Sequence, residues 1–230
     1  MRKRVAVLIS GRGSNLSALI AAAREPNYPA EIALVISNRA DANGLLCAKE
    51  AGIATTVVDH AAYVDREAFE RVLHEVLEAN HIAFVCLAGF MRLLTSWFVR
   101  RWQGRMLNIH PALLPAFRGL DTHARALAAG VKIHGATVHF VVPEVDSGPI
   151  IAQGAVPVFD TDTAESLAAR VLAVEHQIYP RALRWLAEDR IEIIAGRCRI
   201  AGGQPSDSTL IVPEASFEPE HVSKRSRGST

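Results

Sequence analysis

The chain has 230 residues, half of them hydrophobic, with 25 Lys and Arg against 24 Asp and Glu, for a formal charge of +1. That is enough apolar matter for one large domain or two small ones, and it excludes a chain disordered throughout. The near-neutral balance offers no bulk field for nucleic acid or an anionic membrane, so an anionic ligand must be met by local groups. The three cysteines, Cys47, Cys86 and Cys198, are far apart, odd in number and in no Cys-x-x-Cys pair, so reduced, mostly buried thiols are expected. The opening Met1-Arg-Lys-Arg is basic, but the apolar run from Val5 to Ile9 is too short for a signal-peptide core or a membrane span. A soluble, cytoplasmic protein is the expectation.

Apolar, β-branched runs then alternate with amphipathic stretches. Strands are predicted over residues 4–9, 32–37, 54–58, 82–87 and 105–109, with helices over 14–23, 42–51, 66–79 and 96–102. Strands so uniformly apolar are buried on both faces, which implies a parallel sheet with helices on either side. Gly52 fits a helix C-cap and Asp65 an N-cap. Two extended strands follow at 134–142 and 150–159, joined by Pro-Glu-Val-Asp-Ser-Gly-Pro. A long helix is predicted over 163–188, kinked or broken at Tyr179-Pro180, and then a short strand at 191–195. From Gly202 the chain turns polar and aperiodic. The pattern is that of one doubly wound α/β domain over residues 1–200 with a mostly parallel sheet, and a partly disordered polar tail over 201–230.

Three places carry chemistry. The first is Ser10-Gly-Arg-Gly-Ser-Asn-Leu16, which follows the first strand and opens the first helix. Its glycines allow a tight turn, and a helix N-terminus offers free N–H groups to an anion. A dinucleotide fingerprint would need glycine at Leu16 and an acidic residue closing the second strand, which instead ends Ser37-Asn38; the Gly-Lys-Ser/Thr of a Walker loop is absent. The turn fits a single phosphate monoester, or else a plain strand-to-helix turn with Ser14 as N-cap.

The second place is Leu107-Asn-Ile-His-Pro111. Alternation points Asn108 and His110 to one side of a strand that Pro111 ends. The third is Asp146, in the loop after the strand predicted over 134–142. Open α/β sheets bind ligands beyond the carboxyl ends of their strands, so these groups could meet there. A carboxamide and an imidazolium N–H are donors for an oxyanion, and a carboxylate keeps the imidazole charged. Such a set suits formyl or acyl transfer to an amine without a covalent intermediate. The plainer reading is that His110 caps the strand and Asp146 makes an Asx-type turn. No metal-ligand spacing and no Gly-x-Ser-x-Gly elbow occurs, and Cys86 lies in an apolar strand. His60, His74, His81 and His221 read as surface residues.

Six blocks, LISGRGSNL, LAGFMRLL, LNIHPALLPAFRG, HGATVHFV, VDSGPII and VEHQIYP, occur in the order and spacing of one family. From about residue 4 to 195 the chain resembles the phosphoribosylglycinamide formyltransferases (glycinamide ribonucleotide transformylases), which are folate-dependent formyltransferases. The resemblance implies the formyltransferase fold and transfer of a formyl group from the co-substrate 10-formyltetrahydrofolate to the amine of 5-phosphoribosylglycinamide, a step of de novo purine (IMP) synthesis. It implies small-molecule substrates, no metal, no nucleic acid or membrane partner, and a monomer or homodimer.

By the same resemblance, Asn108, His110 and Asp146 match the catalytic trio. Gly13, Ser14 and Asn15 match the loop for the ribonucleotide phosphate, and Leu172, Ala173, Val174 and Glu175 a second contact with that substrate. The folate-binding positions are Arg66, Met91, Arg92, Leu93, Leu94, Asn108, Val142, Pro143, Glu144, Val145 and Asp146. His139 matches a motif histidine whose role is structural or chemical. Ala116-Phe117-Arg118 stands where the family commonly has Lys-Tyr-Pro, and Asp121 where a His can occur. Formyltetrahydrofolate deformylase, with an extra N-terminal domain, and methionyl-tRNA formyltransferase, with a further C-terminal domain and basic surface, are the nearest alternatives; a non-catalytic nucleotide-binding module is another.

Overall fold

A computed structural model describes residues 1–203 and 209–213; most of the predicted polar tail lies outside the described residues. In chain order the elements are β1 (Lys3–Ile9), α1 (Ser14–Ala23), β2 (Ala30–Ser37), α2 (Gly44–Glu50), β3 (Ala54–Val57), α3 (Arg66–Ala79), β4 (Phe84–Leu87), α4 (Ser96–Arg101) and β5 (Met106–His110). There follow α5 (Thr122–Ala128), β6 (Ile133–Phe140), β7 (Ile150–Pro157), α6 (Ala164–Ala187), β8 (Ile191–Ile194) and β9 (Arg197–Ile200).

Seven strands form one sheet in the order β3-β2-β1-β4-β5-β6-β7. The pairs from β3 to β5 are parallel, whereas β5–β6 and β6–β7 are antiparallel. The chain winds outward from β1 to β3, then returns to β4 on the other side of β1. The crevice between the ends of β1 and β4 is therefore the topological switch point, where doubly wound sheets bind ligands.

Alternation along each strand feeds two cores. Val5, Val7, Ile9, Cys86, Leu107 and Ile109 face one side, which α1 and α6 cover with Leu16, Leu19, Val171 and Leu183. Ala6, Leu8, Val85, Leu87 and Met106 face the other, under Phe69, Leu73 and Leu77 of α3 and Phe98 of α4. Each buried Val, Leu, Ile, Met or Phe side chain among these contributes about 1.5–3 kcal/mol. Two helix starts are capped as their residues suggest: Asp65 accepts the Ala68 N–H, and Thr163 with Ser166 forms a capping box at α6. Gly52 follows α2, whose end closes with the Ile53 N–H on Ala48 O.

Several expectations need correcting. Ser14 is the first helical residue of α1 and the cap position is Gly13, in the left-handed region. The helix predicted to kink or break at Pro180 runs unbroken as α6 over 24 residues. Burial of Ile178, Tyr179, Ala182 and Leu183 on the sheet outweighs the roughly 3 kcal/mol a proline costs inside a helix. The strand after it pairs with an unpredicted partner, β9. Only Cys86 of the three thiols is fully buried. His60 and His74 are half-buried rather than surface residues, with rings edge-on to Phe69 and to Trp97 and Trp102. His81 is exposed and His221 lies outside the described residues.

Candidate active site

Strand β5 supplies the first two groups. Met106 ends the α3/α4 core, and Asn108 and His110 continue its face beyond that cover. Antiparallel β6 then sets His139 opposite Asn108 and Thr137 opposite His110. The Thr137 hydroxyl donates to Ala112 O at 2.6 Å and accepts the Leu114 N–H at 3.0 Å, which fixes the loop leaving β5.

Residues 141–149 fold back over the same face. Gly148 permits this close return, since a Cβ there would lie 1.8 Å from Phe140 O. The return brings Asp146 Oδ2 to 3.3 Å from His110 Nδ1, with Oδ1 at 3.7 Å from His139 Nε2. Asp146 Oδ2 also accepts the Gly119 N–H at 2.9 Å. The Asp146 and His110 side chains are 10% and 6% exposed, so little water screens their attraction.

The two rings have different hydrogen-bond partners. His139 Nδ1 donates to Phe140 O at 2.9 Å, which leaves Nε2 to accept from Asn108 Nδ2 at 3.2 Å. This ring is neutral, and burial holds its pKa below the usual histidine value. His110 instead has Phe117 O at 3.0 Å from Nε2 and the Asp146 carboxylate beside Nδ1. Both neighbours are oxygen acceptors, so the ring can donate to either of them. Cys86 does not take part: it is fully buried and burial pushes its thiol up to about 12.

The glycine turn lies at the other side of the crevice. Gly13 has φ +80°, and a Cβ there would meet Gly44 Cα at 2.7 Å, so the turn is pinned against the start of α2. Asn15 is buried in the first turn of α1, and its Nδ2 donates to Glu175 Oε2 on α6 at 2.6 Å. Burial raises the Glu175 pKa, the Asn15 bond opposing it. Asn15 Oδ1 is buried without a partner among the described residues. Ser14, Leu172 and Val174 are half-buried and Ala173 is exposed.

The remaining predicted segments lie at the start of α3, after β4 and after β6. Arg66 opens α3, and Met91 and Leu93 are 66% and 60% exposed. Glu70 on α3 accepts the Thr95 N–H at 2.7 Å, which ties α3 to the segment containing Arg92 and Leu94. Leu94 and Val141 pack on the α3/α4 core, next to half-buried Val142 and exposed Pro143, Glu144 and Val145. Sequence reading missed the parts played by the Phe117 carbonyl and the Gly119 N–H, which are backbone groups with no side-chain signature. Among the described residues no three or more His, Cys, Asp or Glu side chains are grouped to hold a metal ion.

A doubly wound sheet with a carboxamide, an imidazole and a carboxylate gathered at one strand end, across from a glycine turn at the switch point, defines a group-transfer domain. Residues 3–183 match the family model described as "Formyl transferase". The chain belongs to the formyl transferase family. It is 46% identical over 189 residues to phosphoribosylglycinamide formyltransferase of Escherichia coli, covering 82% of this chain and 89% of that protein. It is 53% identical over 192 residues to the trifunctional purine biosynthetic protein adenosine-3 of Bos taurus, covering 84% of this chain and 19% of that protein. The chain thus spans about a fifth of the length of that trifunctional relative. The crystal structure of glycinamide ribonucleotide transformylase 1 from Symbiobacterium toebii superposes with a TM-score of 0.85 at 51% identity, covering 86% of this chain and 94% of that one.

Proposed function

We propose that the protein transfers the formyl group of 10-formyltetrahydrofolate to the amine of 5-phosphoribosylglycinamide, in the cytoplasmic pathway of de novo purine synthesis. The observation that carries this reading is the 3.3 Å approach of His110 and Asp146 on the face that also bears Asn108. Among the described residues no helix is long and apolar enough to cross a membrane.

The substrate amine attacks the formyl carbon; a C–N bond forms and the carbonyl π pair moves to oxygen. Asn108 Nδ2 and the His110 Nε2–H donate to that oxyanion, taking the formyl oxygen in place of the His139 and Phe117 acceptors they face in the free protein. As the intermediate collapses, the bond to folate N10 breaks and His110 donates the proton that N10 takes up. Asp146 stabilises the imidazolium and accepts the proton lost by the amine, directly or through water. The ribonucleotide phosphate lies on the turn of Gly13, Ser14 and Asn15, and Leu172 to Glu175 contact the same substrate. The folate lies along Arg66, Met91 to Leu94 and Val142 to Asp146. Holding both substrates in line supplies a large part of the rate.

The test is to supply the purified protein with 10-formyltetrahydrofolate, with and without the ribonucleotide. Formyl transfer that requires the ribonucleotide is expected. Release of formate in its absence would make the chain a deformylase, and no turnover of either kind would leave a binding module.

A further inference from the structure

Ser10 stands between β1 and the glycine turn, and three of its atoms or groups are engaged. Its N–H donates to Gly89 O at 3.1 Å, its hydroxyl donates to Asn38 Oδ1 at 2.6 Å, and its Oγ accepts the Met91 N–H at 2.8 Å. The residue is 9% exposed and Asn38 is 3% exposed, so these bonds form away from water. Asn38 is held in turn by the His60 ring, with Nδ2 at 3.2 Å from Nδ1. One hydroxyl therefore joins the ends of β1 and β2 to the segment leaving β4. The residues on either side of it are Gly13 to Asn15 and Met91 to Leu94, the segments given above to different substrates.

We propose that Ser10 is a positioning residue that couples the two substrate sites, so that filling either one raises the affinity of the other. This rests on the substrate assignment made above. Each ligand must order its own segment, and a hydrogen bond shared by both segments lets the first ligand do part of the ordering for the second. Linkage makes the effect reciprocal. Ser10 touches neither substrate; it acts through the Met91 amide and through the turn that follows it.

The test uses tetrahydrofolate, which has no formyl group to lose, and 5-phosphoribosylglycinamide, titrated by calorimetry separately and together. For the native chain, each ligand should bind about fivefold or more tightly when the other is saturating. In Ser10→Ala the ratio should fall to near one, and the Met91 amide should exchange its hydrogen faster. Ser10→Thr, which restores the hydroxyl, should recover the ratio. If the alanine variant does not fold, Ser10→Cys keeps the volume with a weak acceptor and should lose most of the effect. A ratio of one in the native chain, or an unchanged ratio in Ser10→Ala or Ser10→Cys, would overturn the coupling. Normal formyl transfer with a ratio of one would overturn the coupling alone. Absence of binding to either ligand would overturn the substrate assignment as well.

Discussion

Asn15 and Glu175, 160 positions apart, meet at 2.6 Å between the first turn of α1 and the middle of α6. The bond fixes an amide beside the glycine turn and leaves the Asn15 carbonyl oxygen buried without a partner among the described residues. Glu175→Gln keeps the shape but replaces a charge-assisted bond with a neutral one. The expected result is a KM for the ribonucleotide raised about tenfold, in line with the roughly 1.5 kcal/mol by which such bonds differ. Steady-state kinetics with each substrate varied in turn would show it; an increase confined to the folate KM would count against the assignment.

On the proposed mechanism Asn108→Ala removes one oxyanion donor, and it should lower kcat about 10²–10³-fold. Asp146→Asn removes the charge beside His110 while retaining an oxygen for the Gly119 N–H, and a loss of about 10²-fold or more is expected. Circular dichroism of both variants should match the native protein. Near-native turnover in either would remove that residue from the mechanism.

His134 predicts an acid sensitivity. It is wholly buried. Burial first, and then the nearby His123, lower its pKa from 6.5 to about 4. Below 6.5 the unfolded chain binds a proton that the folded chain refuses, so stability falls as the pH drops from 6.5 toward 4. Between pH 7 and pH 5 the loss from this residue should be about 2 kcal/mol. Urea unfolding at the two pH values, compared with His134→Phe, measures it. An equal loss in the variant would acquit His134.

Arg125 braces the loop that reaches both His110 and Asp146. Its guanidinium donates to Arg118 O at 2.6 Å and Leu120 O at 3.2 Å, and stands 5.7 Å from the Phe117 ring centre. Arg125→Ala should lower kcat, up to about 10²-fold, through misplacement of Phe117 and Gly119. The ribonucleotide KM should not change, because the glycine turn is elsewhere. The side chain is exposed, so the thermal midpoint should move by less than about 4 °C. An unaltered kcat would show the brace to be dispensable.

Much of this architecture can be read from local pattern. The parallel strands are visible because residues such as those of Val5–Ile9 are apolar without interruption, and the shared direction of Asn108 and His110 follows from a period of two. The rest depends on long-range geometry. Asp146 reaches His110 only because residues 141–149 double back, and His139 meets Asn108 only through the β5–β6 register. Helix α5 is seven residues long with Asp121 left-handed at its cap, too short to show a period. Pro180 misleads because a proline's local penalty is visible in sequence, while the sheet burial that offsets it is not.

Strand β5 has a consequence for how its gene can change. Leu107 and Ile109 serve one core while Asn108 and His110 point to the face proposed to carry the chemistry, in alternation along the strand. Inserting or deleting one codon there would swap the two sets, driving an imidazole into hydrocarbon and turning an isoleucine toward the face of Asp146 and His139. The reading frame of side-chain direction in this strand thus constrains its length more tightly than its composition.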